Sequence, residues 1–396
     1  MDIASEDGQH GYVLSGSTRI PVRNIWLLML YASKLYQDEK LERAGIEDRA
    51  DDIPDLVADL LATEVERRLH RNLTHGFRER RANLSRVRGR IDLLETESRQ
   101  LLRQGLVACR FDDLTVDTRR NRYVRAALET AVRRARSSDV QNRCRTLAST
   151  MRSLGVQGVR PSVGEMSRES LGRNDADDRR MMSAARLVFD LQIPTETTGS
   201  ETFARPGRGD GLRDLYEKAV RGFYSATLKA PWSVQPTRIR HWPIEAATTR
   251  IGAHLPRMET DTVLENRLQN RRVIVETKFT SSVEKGRHGG ERFKTGHIYQ
   301  LYAYVRAQSE KDPLARHTTG VLLYPAIEGD LNEAMVVHGH VIRFMSVDLA
   351  ATPSTIKAQL DRVIDDVSIG PDGDLCVDDG TSCSRVVHGP VQTTGY

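Results

Sequence analysis

Arg272-Val-Ile-Val-Glu-Thr-Lys278 is the stretch on which the fold turns. In an extended chain Val273 and Val275 point to one side and Ile274, Glu276 and Lys278 to the other. Both sides are apolar as far as Val275, as in a strand covered on two faces, and the run then ends in two charges. Upstream, Met258-Glu-Thr-Asp-Thr-Val-Leu264 is extended in character, and the polar segment Glu265-Asn-Arg-Leu-Gln-Asn-Arg271 between the two is able to turn. An antiparallel hairpin centred between Leu268 and Gln269 sets Leu264 opposite Val273 and Asp261 opposite Glu276. Glu-x-Lys alone is ordinarily a local ion pair. Asp261 changes that reading, because two carboxylates facing each other across a sheet repel.

A divalent cation removes the repulsion. The carboxylates of Asp261 and Glu276, the backbone carbonyl of Thr277, waters and a phosphate oxygen make a hard-oxygen set suited to Mg2+. Lys278, one pleat beyond Glu276 on the same face, is placed to orient an attacking water and to stabilise charge on a phosphate. Two flanking helices can add to this cluster. In Leu212–Leu228, Glu217 is either a third carboxylate for the metal or its water, or an ordinary exposed Glu paired with Lys218 or Arg221. In His297–Ala307, Gln300 and Tyr304 share one face while Ile298, Leu301, Tyr302 and Val305 form the apolar stripe, so both polar groups are expected beside the sheet end as supporting residues.

Outward from this core, the pattern over 212–369 alternates helix and strand: strands at Arg257–Leu264, Val273–Phe279, Gly320–Tyr324 and Met335–Phe344, with a closing helix at Thr355–Val367. That is an α/β domain with a mixed sheet and flanking helices. The segment Pro194–Gly211 is rich in Gly, Pro, Ser and Thr and reads as a linker over 196–211. Before it, residues 20–195 read as a mixed α/β N-terminal domain. This contains an apolar helix from Asn24 (as N-cap) to Tyr36, a second at Pro54–Leu73, short strands at Val87–Ile91 and Leu106–Phe111, and helices at Asp117–Ala135 and Asp177–Leu191. Residues 1–19 read as a flexible leader, and the Asp/Gly-rich 370–396 as a disordered tail.

Composition narrows the classes. At 396 residues, with 39% hydrophobic and 29% charged residues, the chain is of ordinary globular make-up and long enough for two folded units. Four cysteines without a CxxC pair or zinc-type His spacing argue against a structural zinc site or a disulfide framework. The longest apolar run, Ile25–Ala32, is too short to span a bilayer, and no cleavable signal precedes it, so a cytoplasmic protein without membrane contact is expected. The net charge is +5. Arginines crowd Arg67–Arg90 and Arg119–Arg136, where they are either a solvated surface or a contact for DNA or a partner.

Asp261, then Glu276-x-Lys278 on the next strand, then a helix with Gln300-x-x-x-Tyr304, resembles the PD-(D/E)xK nuclease superfamily, although Thr260 rather than Pro precedes Asp261. A longer set of blocks is similar to the McrC family. These are Ile20-Pro-Val-Arg-Asn-Ile25, Val87-Arg-Gly-Arg-Ile91, Phe111-Asp-Asp-Leu114 with Asp117-Thr118 and Asn121-Arg122, Leu215-Tyr-Glu-Lys218, Leu255-Pro-Arg-Met-Glu-Thr-Asp261, Glu276-Thr-Lys278, and Tyr299-Gln-Leu301 with Tyr304. The blocks run in family order from about Ile20 to about Asp366. The resemblance implies a C-terminal PD-(D/E)xK restriction-endonuclease-like domain and a Mg2+-dependent endonuclease subunit in a 5-methylcytosine-directed restriction system. It also implies two partners: a McrB-like AAA+ GTPase hexamer, engaged and stimulated by residues 20–195, and double-stranded DNA containing modified cytosine. The sequence has no G-x-x-x-x-G-K-[ST] loop, so GTP is expected to be bound by the partner and not by this chain. Two alternatives stay open at this point: a nuclease of the same superfamily acting in DNA repair without a GTPase, and a non-catalytic regulator of an AAA+ ring.

Overall fold

The computed structural model describes residues 12–15, 18–37, 52–169, 172, 175–191, 210–235, 238–240, 242, 244, 246–251, 254–280, 283–285, 291–307, 312–326, 330–370, 375–378 and 383–385. The chain divides into two compact units, one formed by residues 1–51 together with 193–396 and the other by 52–192. The division differs from the one expected. Residues 20–37, grouped above with an N-terminal domain, fold with the C-terminal part of the chain. The linker expected at 196–211 lies outside the described residues except for its end, where Asp210 already begins a helix.

The first unit is organised by a six-stranded mixed sheet. Its strands are β1 (Trp232–Gln235), β2 (Thr262–Asn266), β3 (Arg271–Thr277), β4 (Thr318–Pro325), β5 (Asn332–Val337) and β6 (His340–Val347), in the order β5-β6-β4-β3-β2-β1. β2 and β3 form the antiparallel hairpin expected from the sequence, with Val273 opposite Leu264. β3 and β4 are parallel, as are β4 and β6. The run Met335–Phe344, read as one strand, is instead a hairpin of β5 and β6. Its turn is made by His338 and Gly339, both at positive φ, a left-handed geometry that alternating apolar residues do not announce. β3 is buried on both faces from Arg272 onward, which is what its unbroken apolar run requires.

Among the described residues, the helices of this unit longer than one turn are, in sequence, α1 (Val22–Ala32), α2 (Asp210–Thr227), α3 (Thr295–Arg306) and α4 (Pro353–Asp361). Leu301, Tyr304 and Val305 of α3 pack with Ile274 of β3, Leu322 of β4 and Ile342 and Phe344 of β6 in one apolar cluster. α3 therefore lies over the face of the sheet to which Ile274 points, and Glu276 points the same way. Asn24 is not a cap. It is fully buried inside α1, and its Nδ2 donates to the carbonyls of Leu349 and Ala351 just ahead of α4. α1 also meets α2 at backbone contact, since a Cβ on Gly222 would stand 1.9 Å from the carbonyl oxygen of Tyr31. Gly222→Ala is expected to lower folding stability by about 1–3 kcal/mol even after the helix-propensity gain of Ala, because the overlap is with backbone that cannot rotate away. A denaturant melt checks this, and an unchanged or raised midpoint would show that α1 can move aside.

Two segments expected to lack order contain strands. Tyr12–Ser15, inside the expected leader, pairs with Thr18–Pro21 at its end, and Leu375–Asp378, inside the expected tail, pairs with Cys383–Arg385 and with Val367–Ile369 just ahead of it.

The second unit joins the helices Ile53–His70, Arg119–Arg134, Ser138–Ser153 and Ala176–Asp190 to a three-stranded sheet of Gly76–Leu84, Val107–Thr115 and Arg90–Ile91. The strand Gly-Phe-Arg-Glu-Arg-Arg-Ala-Asn-Leu was not anticipated, because its residues are mostly exposed and carry no apolar alternation to read. Several arginines of the clusters are occupied internally. Arg68 pairs with Asp178, Arg120 with Glu169, Asp175 and Asp178, Arg122 with Asp117 through two bonds, and Arg125 with Glu129 and the Gly158 carbonyl. These four are paired within the unit.

Candidate active site

The sequence builds the site by ending a strand in polar residues. β3 leaves the apolar interior at Glu276, and its parallel partner β4 continues alongside, so that the Lys278 amide donates to the Leu323 carbonyl. Lys278 thus stays fixed to the sheet although it lies one residue past the strand. Its Nζ donates to Oε1 of Glu276 at 2.7 Å and to Oε1 of Gln300 at 2.7 Å. Gln300 in turn donates through Nε2 to the Tyr304 hydroxyl at 2.7 Å, the i,i+4 spacing on α3 bringing the two together. Lys278, Glu276, Gln300 and Tyr304 therefore form one hydrogen-bonded row along the end of β3. An ammonium has three donors, and two are spent here.

Asp261 arrives differently from the simple facing pair. The β2–β3 ladder has its last pair at Thr262 and Val275, and Asp261 occupies a bend between Met258–Thr260 and β2. Its carboxylate turns toward Thr277, accepting from the amide at 2.8 Å and from the hydroxyl at 2.6 Å. The two carboxylates still feel each other. Glu276 is 2% exposed, and its acid is pushed up to about 7, first by burial and then by the charge of Asp261, with Lys278 opposing. Glu217 on α2 is also raised, by burial first and then by Asp261, while Arg221 opposes. Arg221 donates at 2.6 Å to Glu217 and, through Nε and Nη2, to the Asp261 carbonyl at 3.1 and 2.8 Å.

Asp261, Glu276, Thr277, Lys278, Gln300 and Tyr304 are thus joined at one end of the sheet. Glu217 stands within electrostatic reach and takes the Arg221 partner that its spacing allowed. Sequence reasoning missed the contact of Arg221 with Asp261 and the Thr277 hydroxyl. The i,i+4 relation to Glu217 was visible, but a reach across 40 residues to a carbonyl has no local signature.

Whether these residues suit a divalent cation turns on Glu276. Its second oxygen, Oε2, is buried and has no hydrogen-bond partner, a costly state for a carboxylate unless something cationic meets it. Among the described residues no three or more His, Cys, Asp or Glu side chains gather tightly enough to hold a metal by themselves. The protein ligands would then be the two carboxylates of Asp261 and Glu276 with the Thr277 carbonyl, and the rest water and phosphate oxygen, a sparse set of the kind Mg2+ takes. The donors fit.

The raised acid gives a signed expectation for the metal-free protein. Glu276 ionises at about 7 when folded against 4.5 in the ordinary state, so the folded state resists its ionisation. That penalty is absent below about pH 4.5, grows through the interval and is complete above about 7. Glu276→Gln, which keeps an acceptor oxygen for Lys278, is therefore expected to match wild type near pH 4.5 and to be more stable by on the order of 3 kcal/mol at pH 8. Thermal midpoints across that range check it. A variant less stable at pH 8 would mean that the Glu276–Lys278 pair is a net structural ion pair.

Fold and cluster together define a mixed α/β protein that gathers carboxylates, a lysine and an amide at the end of a central strand. The chain belongs to the family of McrBC 5-methylcytosine restriction system components, whose model matches residues 4–325. It is similar to the type IV methyl-directed restriction enzyme EcoKMcrBC of Escherichia coli (strain K12), being 24% identical over 351 residues that cover 88% of this chain and 98% of the relative. Among solved structures it is similar to the refined half-complex from the tetradecameric assembly of Thermococcus gammatolerans McrB AAA+ hexamers with bound McrC. The TM-score is 0.43 at 15% identity, over 87% of this chain and 76% of that one. A further match is the Thermococcus gammatolerans McrBC complex, with a TM-score of 0.33 at 16% identity over 50% and 56% of the two chains. No described helix is long and apolar enough to cross a membrane.

Proposed function

We propose that this chain is the endonuclease subunit of a modified-cytosine restriction complex, that its first unit is a PD-(D/E)xK domain, and that Asp261, Glu276 and Lys278 hydrolyse DNA phosphodiesters with Mg2+. The observation that carries the reading is the Lys278 ammonium held between Glu276 and Gln300 beside a buried carboxylate oxygen without a partner. A cation bound there supplies Lewis-acid polarisation of the phosphate and a water of lowered pKa.

The chain's own residues do the rest. Gln300 and Glu276 direct Lys278, whose third donor is available to a phosphate oxygen or the attacking water, and Tyr304 fixes the Gln300 amide. Asp261 is oriented by the Thr277 amide and hydroxyl, so its carboxylate is in place before substrate arrives. Glu217 is a supporting carboxylate whose negative charge is balanced by Arg221.

GTP hydrolysis is assigned to a McrB-like AAA+ hexamer. Family membership and the missing phosphate-binding loop support a separate GTPase chain. The unit of residues 52–192 is then the region that engages and stimulates that ring. The test is cleavage of methylated and unmethylated double-stranded DNA with the candidate GTPase, GTP and Mg2+ each left out in turn. Cutting is expected only with all present and modified cytosine in the DNA, and methyl-specific cutting by the purified chain alone would overturn the division of labour.

A further inference from the structure

Asp261 stands in a break between two strands, with Thr260 ending one and Thr262 beginning the next. A residue in such a break has its carbonyl outside the ladder, and a carbonyl there needs a donor from elsewhere. Arg221 supplies it twice over, Nε at 3.1 Å and Nη2 at 2.8 Å, while Nη2 also reaches Glu217. A planar guanidinium holding one oxygen with two donors fixes direction as well as distance, which a single-point ammonium does not.

The helix that presents Arg221 is itself immobilised. The neighbouring Gly222 backs onto the Tyr31 carbonyl of α1, and Tyr224 donates through its hydroxyl to the Leu360 carbonyl at 2.7 Å. On the far side of Asp261, the Thr277 amide and hydroxyl grip the carboxylate. The residue is therefore held at both ends, its carbonyl from α2 and its carboxylate from β3.

We propose that Arg221 is a positioning residue of the hydrolytic site. It fixes the bend so that the Asp261 carboxylate is presented in one orientation, and it carries Glu217 beside it as a charge-balanced unit. The inference rests on the reading of Asp261 as a metal-binding catalytic group. Arg221 touches no reacting atom in this role and acts through Asp261.

The Thr277 amide is a direct reporter, since the acceptor of its hydrogen is the Asp261 carboxylate. Amide hydrogen exchange is measured on the full chain without metal for wild type, Arg221→Gln and Arg221→Lys, with the Leu322 amide of the buried β4 as the gauge of global folding. Arg221→Gln is expected to speed exchange at Thr277 about tenfold or more with Leu322 unchanged, and Arg221→Lys to speed it less. In the reconstituted cleavage reaction the same variants should raise the Mg2+ concentration for half-maximal rate about tenfold, with a smaller fall in rate at saturating Mg2+.

Wild-type exchange at Thr277 in both variants overturns the proposal. So does faster exchange with an unmoved Mg2+ requirement, which would leave Arg221 a stabilising contact only. If Arg221→Gln loses protection at Leu322, Arg221→Lys carries both readouts alone. Asp261→Asn run alongside separates the two levels: cutting by that variant overturns the hydrolytic reading, while Thr277 exchange still judges whether Arg221 positions the bend.

Discussion

Asp261→Asn is expected to lower DNA cleavage by about 10²–10³-fold or more, while stimulation of the partner's GTP hydrolysis survives. The amide keeps one oxygen for the Thr277 amide and hydroxyl, so the bend should persist, and what is lost is the negative charge. Glu276 should respond as well. With the Asp261 charge gone, one of the forces raising its acid disappears, and it should ionise at lower pH than in wild type. Cleavage and GTP hydrolysis measured in the same reactions check this, and a parallel loss of both would mean that the substitution has damaged assembly rather than chemistry.

Lys278→Ala carries the second large effect. Two acceptors, Oε1 of Glu276 and Oε1 of Gln300, lose their donor together, and Glu276 loses the cation that holds its acid down. Cleavage is expected to fall by about 10²–10³-fold, because the group that orients water and meets charge on the phosphate is gone. Metal binding should be largely kept at pH 8 and should weaken more steeply than in wild type as pH falls, since a Glu276 ionising above about 7 has to be deprotonated to act as a ligand. Calorimetric titration with Mg2+ at pH 6.5 and 8 checks the binding, and the cleavage rate at pH 8 distinguishes this from a lysine that only pairs with Glu276. In that case cutting would persist.

How much of this was legible in the sequence depends on the range of the interaction. The β2–β3 register was readable, with Leu264 opposite Val273, because a two-faced apolar run and a polar turn leave one way to pair the strands. The row from Glu276 to Tyr304 was half readable. Strand alternation and i,i+4 spacing put the right groups on the right faces, but that Lys278 would bridge Glu276 and Gln300 depends on the parallel pairing of β3 with β4. Asp261 was placed in the right neighbourhood with the wrong posture. The pairing rule assumed that the ladder continues, whereas the chain bends there and hydrogen-bonds to Thr277 in place of facing Glu276 directly.

The long-range features were silent. Helix α1 precedes the second unit in sequence, so chain order assigned it there, yet Asn24 bonds to carbonyls at 349 and 351 and Tyr31 backs onto Gly222. Nothing in an apolar 11-residue helix says which apolar surface it will cover. Which of the clustered arginines pair internally was hidden for a related reason, since composition counts cations without their partners, and Asp178 alone engages both Arg68 and Arg120.

The most direct measurement is the single-turnover rate of cutting methylated double-stranded DNA by the complex assembled with Glu276→Gln, with GTP hydrolysis followed in the same mixture. Glu276→Gln keeps the acceptor that Lys278 uses, and it removes the buried oxygen charge that has no partner in the protein. A metal-dependent hydrolytic site predicts that cutting is lost at every Mg2+ concentration while GTP is hydrolysed at the wild-type rate. Cutting at the wild-type rate by Glu276→Gln would contradict the assignment of the active site to Asp261, Glu276 and Lys278.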